Sequence, residues 1–582
     1  MPLTLVNNKV ASWAVHKIAV VGPGIVGMPM AAMLAHARIM EGSSKPARVV
    51  VIQRNSVTSG WKVNAINDGK SPIGGVEPAL DRLVEESVAA GLLSASHDYD
   101  ALADADVILV SVQTDRRGDA PDYGPLFEAL TGIALALKKR PSRNVPLIVF
   151  ESTLAPSSMA TVITDHFASH GLVEGEDILL GNSPNRVMPG RLVERVASSD
   201  KIIAGLHPET AGLIRRIYSR IVTKGNLHAT NSLTAEVVKT LENAYRDVRI
   251  AYAAEVARYC DAHDIDFFAL RDAVNILAKQ QDTASSDPHS VPSGGLLVPM
   301  LGVGGHCLPK DGVLLWWRAL EAGEDSSRSL ILESRRINDE SPRELLRLVE
   351  RAIGSLSGRR VALLGTAYRG NSEDTRNSPT LFLARGLRSH GVPMRIHDPY
   401  VHPTDANLKH FGMADLFTRE LRDAVGDAEV LIVCCPHRVY ADGWAAIRAA
   451  APAARYVVDA CHLMRAADVV ESGMTYMGIG MGQETPPAEL VLAVLAGFRA
   501  VETGVANEVE ELVRFLNRNR TGLPFNRLEF GDIQRIAATC PTGCAIATPG
   551  PVKVPNRSVP PSRLVAIAAG HAKPSGQMAS QG

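Results

Sequence analysis

The run KIAVVGPGIVGMPMAAMLAHA at 17–37 places a short β-branched segment, three glycines and an Ala/Met/Leu-rich segment in direct succession. That succession is strand, tight turn, helix. A buried strand of this kind needs parallel neighbours, and they follow at 47–54 (ARVVVIQR), 104–112 (DADVILVSV) and 145–153 (VPLIVFEST), each separated by a helix-length stretch. The alternation predicts a parallel α/β sheet. In the turn, backbone N–H groups at Gly22, Gly24, Ile25, Val26 and Gly27, together with the helix N-terminus, can receive a pyrophosphate, so the reading is dinucleotide binding. A purely structural glycine turn is the alternative. The second strand ends in Gln53 and Arg54 where a ribose-binding acid is usual. Gln53 can bond the ribose hydroxyls; Arg54 suits a 2′-phosphate or a solvated surface charge, so NAD is expected and NADP stays open.

From about 233 to 275 the period lengthens to 3.6, which predicts a long helix and a helical region after it. Lys239, Asn243 and Arg246 recur at i, i+4 and i+7 and share one face of that helix. Either they form a solvated stripe, or they are polar groups on a largely buried helix that need partners. A second strand-and-turn series starts at 358–368 and continues at 392–399, 428–436 and 455–460, giving a second α/β domain. Beyond Gly482 an amphipathic helix at 488–517 precedes a stretch rich in Pro, Gly, Ala and Ser, read as a disordered end. Within it, Cys540 and Cys544 are a redox pair, a metal half-site or part of a quiet tail.

Of the 582 residues, 46% are hydrophobic and 21% charged, and Lys+Arg 61 against Asp+Glu 62 leave a net charge of -1. Global disorder is excluded, and there is no bulk charge to attract nucleic acid or an acidic membrane. Seven scattered cysteines suit a reducing compartment, and they lack the paired spacings of a zinc site. No secretory signal is recognised at the start, and the apolar run at 18–33 is too short to span a bilayer. A cytoplasmic protein without a membrane partner is expected.

GVGGHCLPKD, Gly302 to Asp311, is the densest chemical signal. Its glycines permit close backbone approach, and Pro309 in a first helical turn would put Cys307 at a helix N-terminus, where negative charge developing on sulfur is favoured. A nucleophilic thiol is the functional reading and a buried structural cysteine the alternative. Asp311 lies one turn beyond Cys307 and could hold or activate water. On the long helix, Lys239 could act as acid or base, and the Asn243 amide could donate to an oxyanion.

Taken together, GPGIVG, the EST at 151–153, AEVVKTLENAYRD, GVGGHCLPKD, GTAYRGNSEDTRNSP and HDPY resemble the UDP-glucose/GDP-mannose dehydrogenase family over about residues 16–485. GGHC and SPNRVMPG are closer to the branch acting on UDP-N-acetylhexosamines than to the UDP-glucose branch. The resemblance implies two Rossmann-like domains joined by a long central helix: 1–228 binding NAD, 229–335 a central helical domain that dimerises and carries the cysteine loop, 336–484 binding the UDP-sugar, and 485–582 an extension, helical then disordered. It implies oxidation of a sugar C6 alcohol to a carboxylate with two NAD, serving polysaccharide biosynthesis. Lys239 would assist alcohol deprotonation, Cys307 would carry a thiohemiacetal and then a thioester, and Asn243 and Asp311 would support the oxyanion and the water. Thr114, Thr153 and Arg376 fall at cofactor positions; Arg186, Arg246, His306 and Arg369 fall on the substrate side. One departure is Asn185, where the family has a glutamate that works in thioester hydrolysis. An amide cannot accept that proton. Either Glu151, Asp311 or another carboxylate takes over, or hydrolysis is slow, or the reaction stops at the aldehyde, or the protein only binds nucleotide sugar.

Overall fold

Runs such as Val107–Val110 and Leu147–Phe150 are buried at every position, which a strand achieves only when both faces of its sheet are covered. The computed structural model describes all residues except 1–3, 7–8, 58, 75–76, 78, 141–144, 187–189, 279–294, 520–524, 542, 554–560 and 572–582. It divides into two units: Met1–Glu242 with Val313–Glu324 and Glu510–Ala545, and Asn243–Gly312 with Asp325–Val509 and Ile546–Gly582.

The first unit is built on eight strands: β1 (Lys17–Val21), β2 (Arg48–Ile52), β3 (Leu93–Ser96), β4 (Val107–Val110), β5 (Leu147–Phe150), β6 (Leu179–Asn182), β7 (Lys201–Gly205) and β8 (Leu227–Asn231). They lie in the order 3-2-1-4-5-6-7-8. All pairings are parallel except β6 with β7. The second unit repeats the theme with β9 (Val361–Leu364), β10 (Met394–His397), β11 (Phe417–Thr418), β12 (Val430–Val433), β13 (Tyr456–Asp459) and β14 (Thr475–Gly478), ordered 11-10-9-12-13-14 and parallel throughout. Both sheets thus reverse direction beside their first strand, and ligands of open α/β sheets bind outside the strand ends at such a reversal. In the first unit that place is the GPGIVG turn. In the second it is Gly365–Ala367, where Gly365 (φ +96°) has no room for a side chain against Cys435.

Helix α1 (Gly27–His36) follows the glycine turn, and α2 (Ser232–Ala262) is the long helix. Asn231 caps α2, its side chain accepting from Thr234 N at 2.8 Å. Between 233 and 257 only Asn243, Arg246 and Ile250 are not fully buried. Two of the three polar positions picked from the sequence therefore lie on the one open strip of α2. Helix α3 (Leu308–Glu321) follows the cysteine loop, and α4 (Leu330–Ile353) leads to the second sheet.

The extension departs from expectation. Helices α5 (Ala488–Arg518), α6 (Phe530–Ala537) and α7 (Arg563–Gly570) carry it through residue 571; residues 572–582 lie outside the described ones. In the second unit Tyr252 donates to Val494 O at 2.8 Å and Tyr245 to Glu502 at 2.9 Å, so α5 runs antiparallel to α2. Glu508 accepts from Ser329 and Leu330, and Glu255 from Ser562 and Arg563. In the first unit Asn526 accepts from Leu233 N, and Asn231 donates to Arg527 O. Apolar residues after 525 are sparse, which reads as disorder, but Leu528, Ile533, Ile536 and Leu564 are all buried. Distant partners, not local propensity, order the segment. Among the described residues no helix is long and apolar enough to cross a membrane.

Candidate active site

In the first unit the glycine turn is shaped from within. Gly22 (φ +95°) would put a Cβ 2.8 Å from Ser111 O, and Gly27 would put one 2.1 Å from Gly22 O, whereas Gly24 faces open space. Two glycines let the turn close and the third leaves room above it, as a pyrophosphate at the start of α1 requires. Ile25 is exposed and Val26 half-buried beside it. Gln53, at the end of β2, donates to Ser59 Oγ at 2.9 Å. Arg54 is drawn away to Glu128 at 2.8 Å, both side chains more than half exposed, so it is a surface charge and not a built phosphate site. Thr114 is buried and donates to Thr153 O at 2.7 Å, which joins two residues the sequence placed separately at the cofactor.

Behind β5 and β6 lies a buried charged cluster. Glu151 is held by Lys201 Nζ at 2.7 Å and by the Tyr218 hydroxyl. Burial pulls the Lys201 ammonium below its ordinary range; Glu151 opposes this, while the positive charges of Arg186 and Lys239 add to it. Glu242 holds Arg186. Among the described residues Lys239, 8% exposed, has no carboxylate partner, so three cations face two paired carboxylates. One turn earlier on α2, Glu236 accepts from the N–H groups of Ser157 and Met159, and burial raises its carboxyl to about 8 against the pull of those two donors.

Two expectations change here. Glu151, a candidate substitute for the missing glutamate, has a side chain with no exposed surface and is committed to Lys201 and Tyr218, so it cannot meet water. Arg186, placed on the substrate side, is buried with all five N–H groups donating inside the chain: to Glu242, Asp200 O, Thr539 Oγ1 and Ile536 O. None is left for a ligand. Lys201, Glu242 and Thr539 escaped the sequence reading. Glu242 had one available signal, its place directly before Asn243.

In the second unit Cys307 is exposed and caps α3, its carbonyl accepting from Lys310 N at 3.1 Å and Asp311 N at 3.0 Å. Asp311 has no exposed surface; it accepts from Lys310 Nζ at 2.5 Å and Asn243 Nδ2 at 2.6 Å. The predicted Cys307, Asn243 and Asp311 are therefore one assembly. The preceding loop is pressed against 368–377: a Cβ at Gly304 would lie 2.5 Å from Tyr368 Cβ, Gly305 (φ +87°) meets the Tyr368 ring, and Gly305 N donates to Arg376 O at 2.8 Å. Arg376 forms a two-pronged pair with Asp374, and Cys307 acts electrostatically on both Arg376 and Tyr368. Arg376 thus belongs to the wall of the cysteine loop. His306 and Arg369 are half-buried in the same wall, and Arg246 lies on the open strip of α2.

Three segments match one family in chain order: its NAD binding domain over 16–222, its central domain over 233–340 and its UDP binding domain over 362–466. The chain belongs to the UDP-glucose/GDP-mannose dehydrogenase family. It is an NAD-dependent oxidoreductase of nucleotide sugars. A UDP-N-acetyl-D-mannosamine dehydrogenase of Pyrococcus horikoshii is 33% identical over 397 residues, 68% of this chain and 86% of that one. An NDP-N-acetyl-D-galactosaminuronic acid dehydrogenase of Ralstonia nicotianae is 28% identical over 433 residues, 73% and 91% of the two chains. The solved structure of the Pyrococcus horikoshii UDP-D-ManNAc dehydrogenase superposes with TM-score 0.65 at 30% identity, covering 80% of this chain and 99% of that one.

Proposed function

We propose that this dehydrogenase oxidises the C6 alcohol of a UDP-N-acetylhexosamine, N-acetylglucosamine or N-acetylmannosamine first, to the uronic acid by way of a covalent sugar on Cys307. The observation that carries it is the exposed Cys307 at the start of α3 with Asp311, Lys310 and Asn243 bonded one turn away. Gly24, Gln53, Thr114 and Thr153 would hold NAD, which when bound would supply the hydride acceptor for both oxidations. Lys239, a cation without a carboxylate partner among the described residues, donates to the alcohol oxygen and stabilises the alkoxide as the hydroxyl proton passes to water. The Cys307 sulfur adds to the aldehyde carbon, and Asn243 donates to the resulting oxyanion. After the second hydride leaves, the thioester is cleaved by water, whose oxygen goes to the carboxylate while the sulfur regains its proton. Asp311, itself without exposed surface, holds Asn243 and Lys310 in place for that step.

A second reading is favoured by Asn185 together with the committed state of Glu151: hydrolysis is slow and the chain releases aldehyde or stalls as thioester. Both readings are tested by reduced cofactor formed per sugar, with limiting UDP-N-acetylglucosamine, UDP-N-acetylmannosamine or UDP-glucose. Two equivalents support complete oxidation. One per sugar means an aldehyde product, one or two per enzyme a stalled cycle, and none with any of these sugars removes the proposal.

A further inference from the structure

The family match ends at residue 466, yet the extension reaches the buried cluster of the first unit. Arg186 Nη1 donates to Thr539 Oγ1 at 2.9 Å, Arg186 Nη2 donates to Ile536 O at 2.9 Å, and Thr539 Oγ1 donates to Ile536 O at 2.7 Å. These three bonds close a ring at the C-terminal end of α6, where a cation is favoured. The guanidinium side chain is 2% exposed. A buried charge of this kind is tolerable only with every donor satisfied, and two of its five bonds come from the extension.

Arg186 directly follows Asn185, and the segment between them and β6 has two anchors. Upstream, Ser183 N donates to Phe150 O and Ser183 Oγ to Ile202 O at 2.6 Å. Downstream, the anchor is the Arg186 side chain. The intervening Asn185 N donates to Glu151 O at 3.3 Å, and the peptide bond to Arg186 ties the path of this residue to the clasped side chain.

We propose that the C-terminal extension is a working part of the dehydrogenase, with Thr539 as a positioning residue that clasps Arg186 and through it fixes the backbone at Asn185. This rests on the reading that Asn185 stands beside the thioester step. A hydroxyl is required at 539 because it accepts from Arg186 and donates to Ile536 O at once. Thr539→Val keeps the shape and removes both bonds; Thr539→Ser keeps both.

The test compares full-length wild type, Thr539→Val and Thr539→Ser by hydrogen exchange of peptides covering Ser183–Arg186 and by steady-state and single-turnover kinetics. For Thr539→Val we expect exchange at Ser183–Arg186 to rise about tenfold, the scale of losing a hydrogen bond to a charged group. Steady-state turnover should fall by a similar factor while the first-turnover yield of reduced cofactor and the KM for NAD stay within about twofold. Thr539→Ser should restore both. The proposal is overturned if Thr539→Val matches wild type, or if exchange rises evenly across the first unit with no rescue by serine. If wild type reduces no NAD with any UDP-sugar, the proposed function fails on its own, and the exchange experiment still decides whether the clasp holds this segment.

Discussion

Lys239 has Lys201 and Arg186 as charged neighbours, each already neutralised by its own carboxylate. Its own charge is left to act on a ligand. Lys239→Met should lower kcat by roughly 10²–10⁴, the usual span for losing a positioned acid or base, with NAD binding unchanged; steady-state rates and a cofactor titration check it. The grouping of Asn243 and Asp311 beside Cys307 was legible in the sequence, because fixed helical spacing and a glycine-rich loop announce these residues. Arg186 was visible but its burial was not, since nothing in a sequence says which arginine is buried. Thr539, 353 residues from its partner, carried no signal at all.

At the scale of elements, α2 and α4 are tied by a buried pair. Asp247 binds Arg335 Nη1 at 2.9 Å and accepts from Asn338 at 2.8 Å, and burial raises its carboxyl to about 6 against the pull of Arg335. Asp247→Ala would strand the Arg335 charge and should cost about 3–5 kcal/mol, read as a lowered urea midpoint at unchanged slope. In the second sheet Asp398, after β10, accepts from Thr366 N, Ala367 N, Tyr400 N and His437 Nε2. Burial pushes its carboxyl up, but His437 and the backbone donors overcome that and hold it at about 2. Because this lies below the ordinary carboxylate range, the stabilisation is complete above about pH 4 and is lost as pH falls toward 2. Urea midpoints at pH 7, 4 and 2.5 should drop most across the last interval, and Asp398→Asn should flatten that drop while lowering the midpoint at pH 7. The strands were legible because buried parallel strands are apolar at every residue; α6 and α7 were not, because a few well-placed apolar residues suffice when the receiving surface is made elsewhere.

For the whole molecule, most of α5 and all of α7 serve as packing for the second unit, and α6 with the residues before it for the first. A chain ending at residue 487 would uncover Tyr252 and Leu330 in the second unit and Leu233 in the first, all buried in the full chain. Such a chain should associate or melt many degrees lower, and size-exclusion chromatography with a thermal scan would show it. The two-sheet architecture follows from the order of strand and helix periods; the dependence on the last hundred residues does not, since the contacts concerned are separated by 178 residues or more.

That separation also sets a timetable during synthesis. The glycine turn and the cluster around Glu151 leave the ribosome early, but the partner that completes Arg186 is made 353 residues later. At roughly 5–20 residues per second the nascent first unit waits about 20–70 s with this arginine half-satisfied. The dinucleotide fold can form in that interval; the finished site is delivered only with the end of the chain.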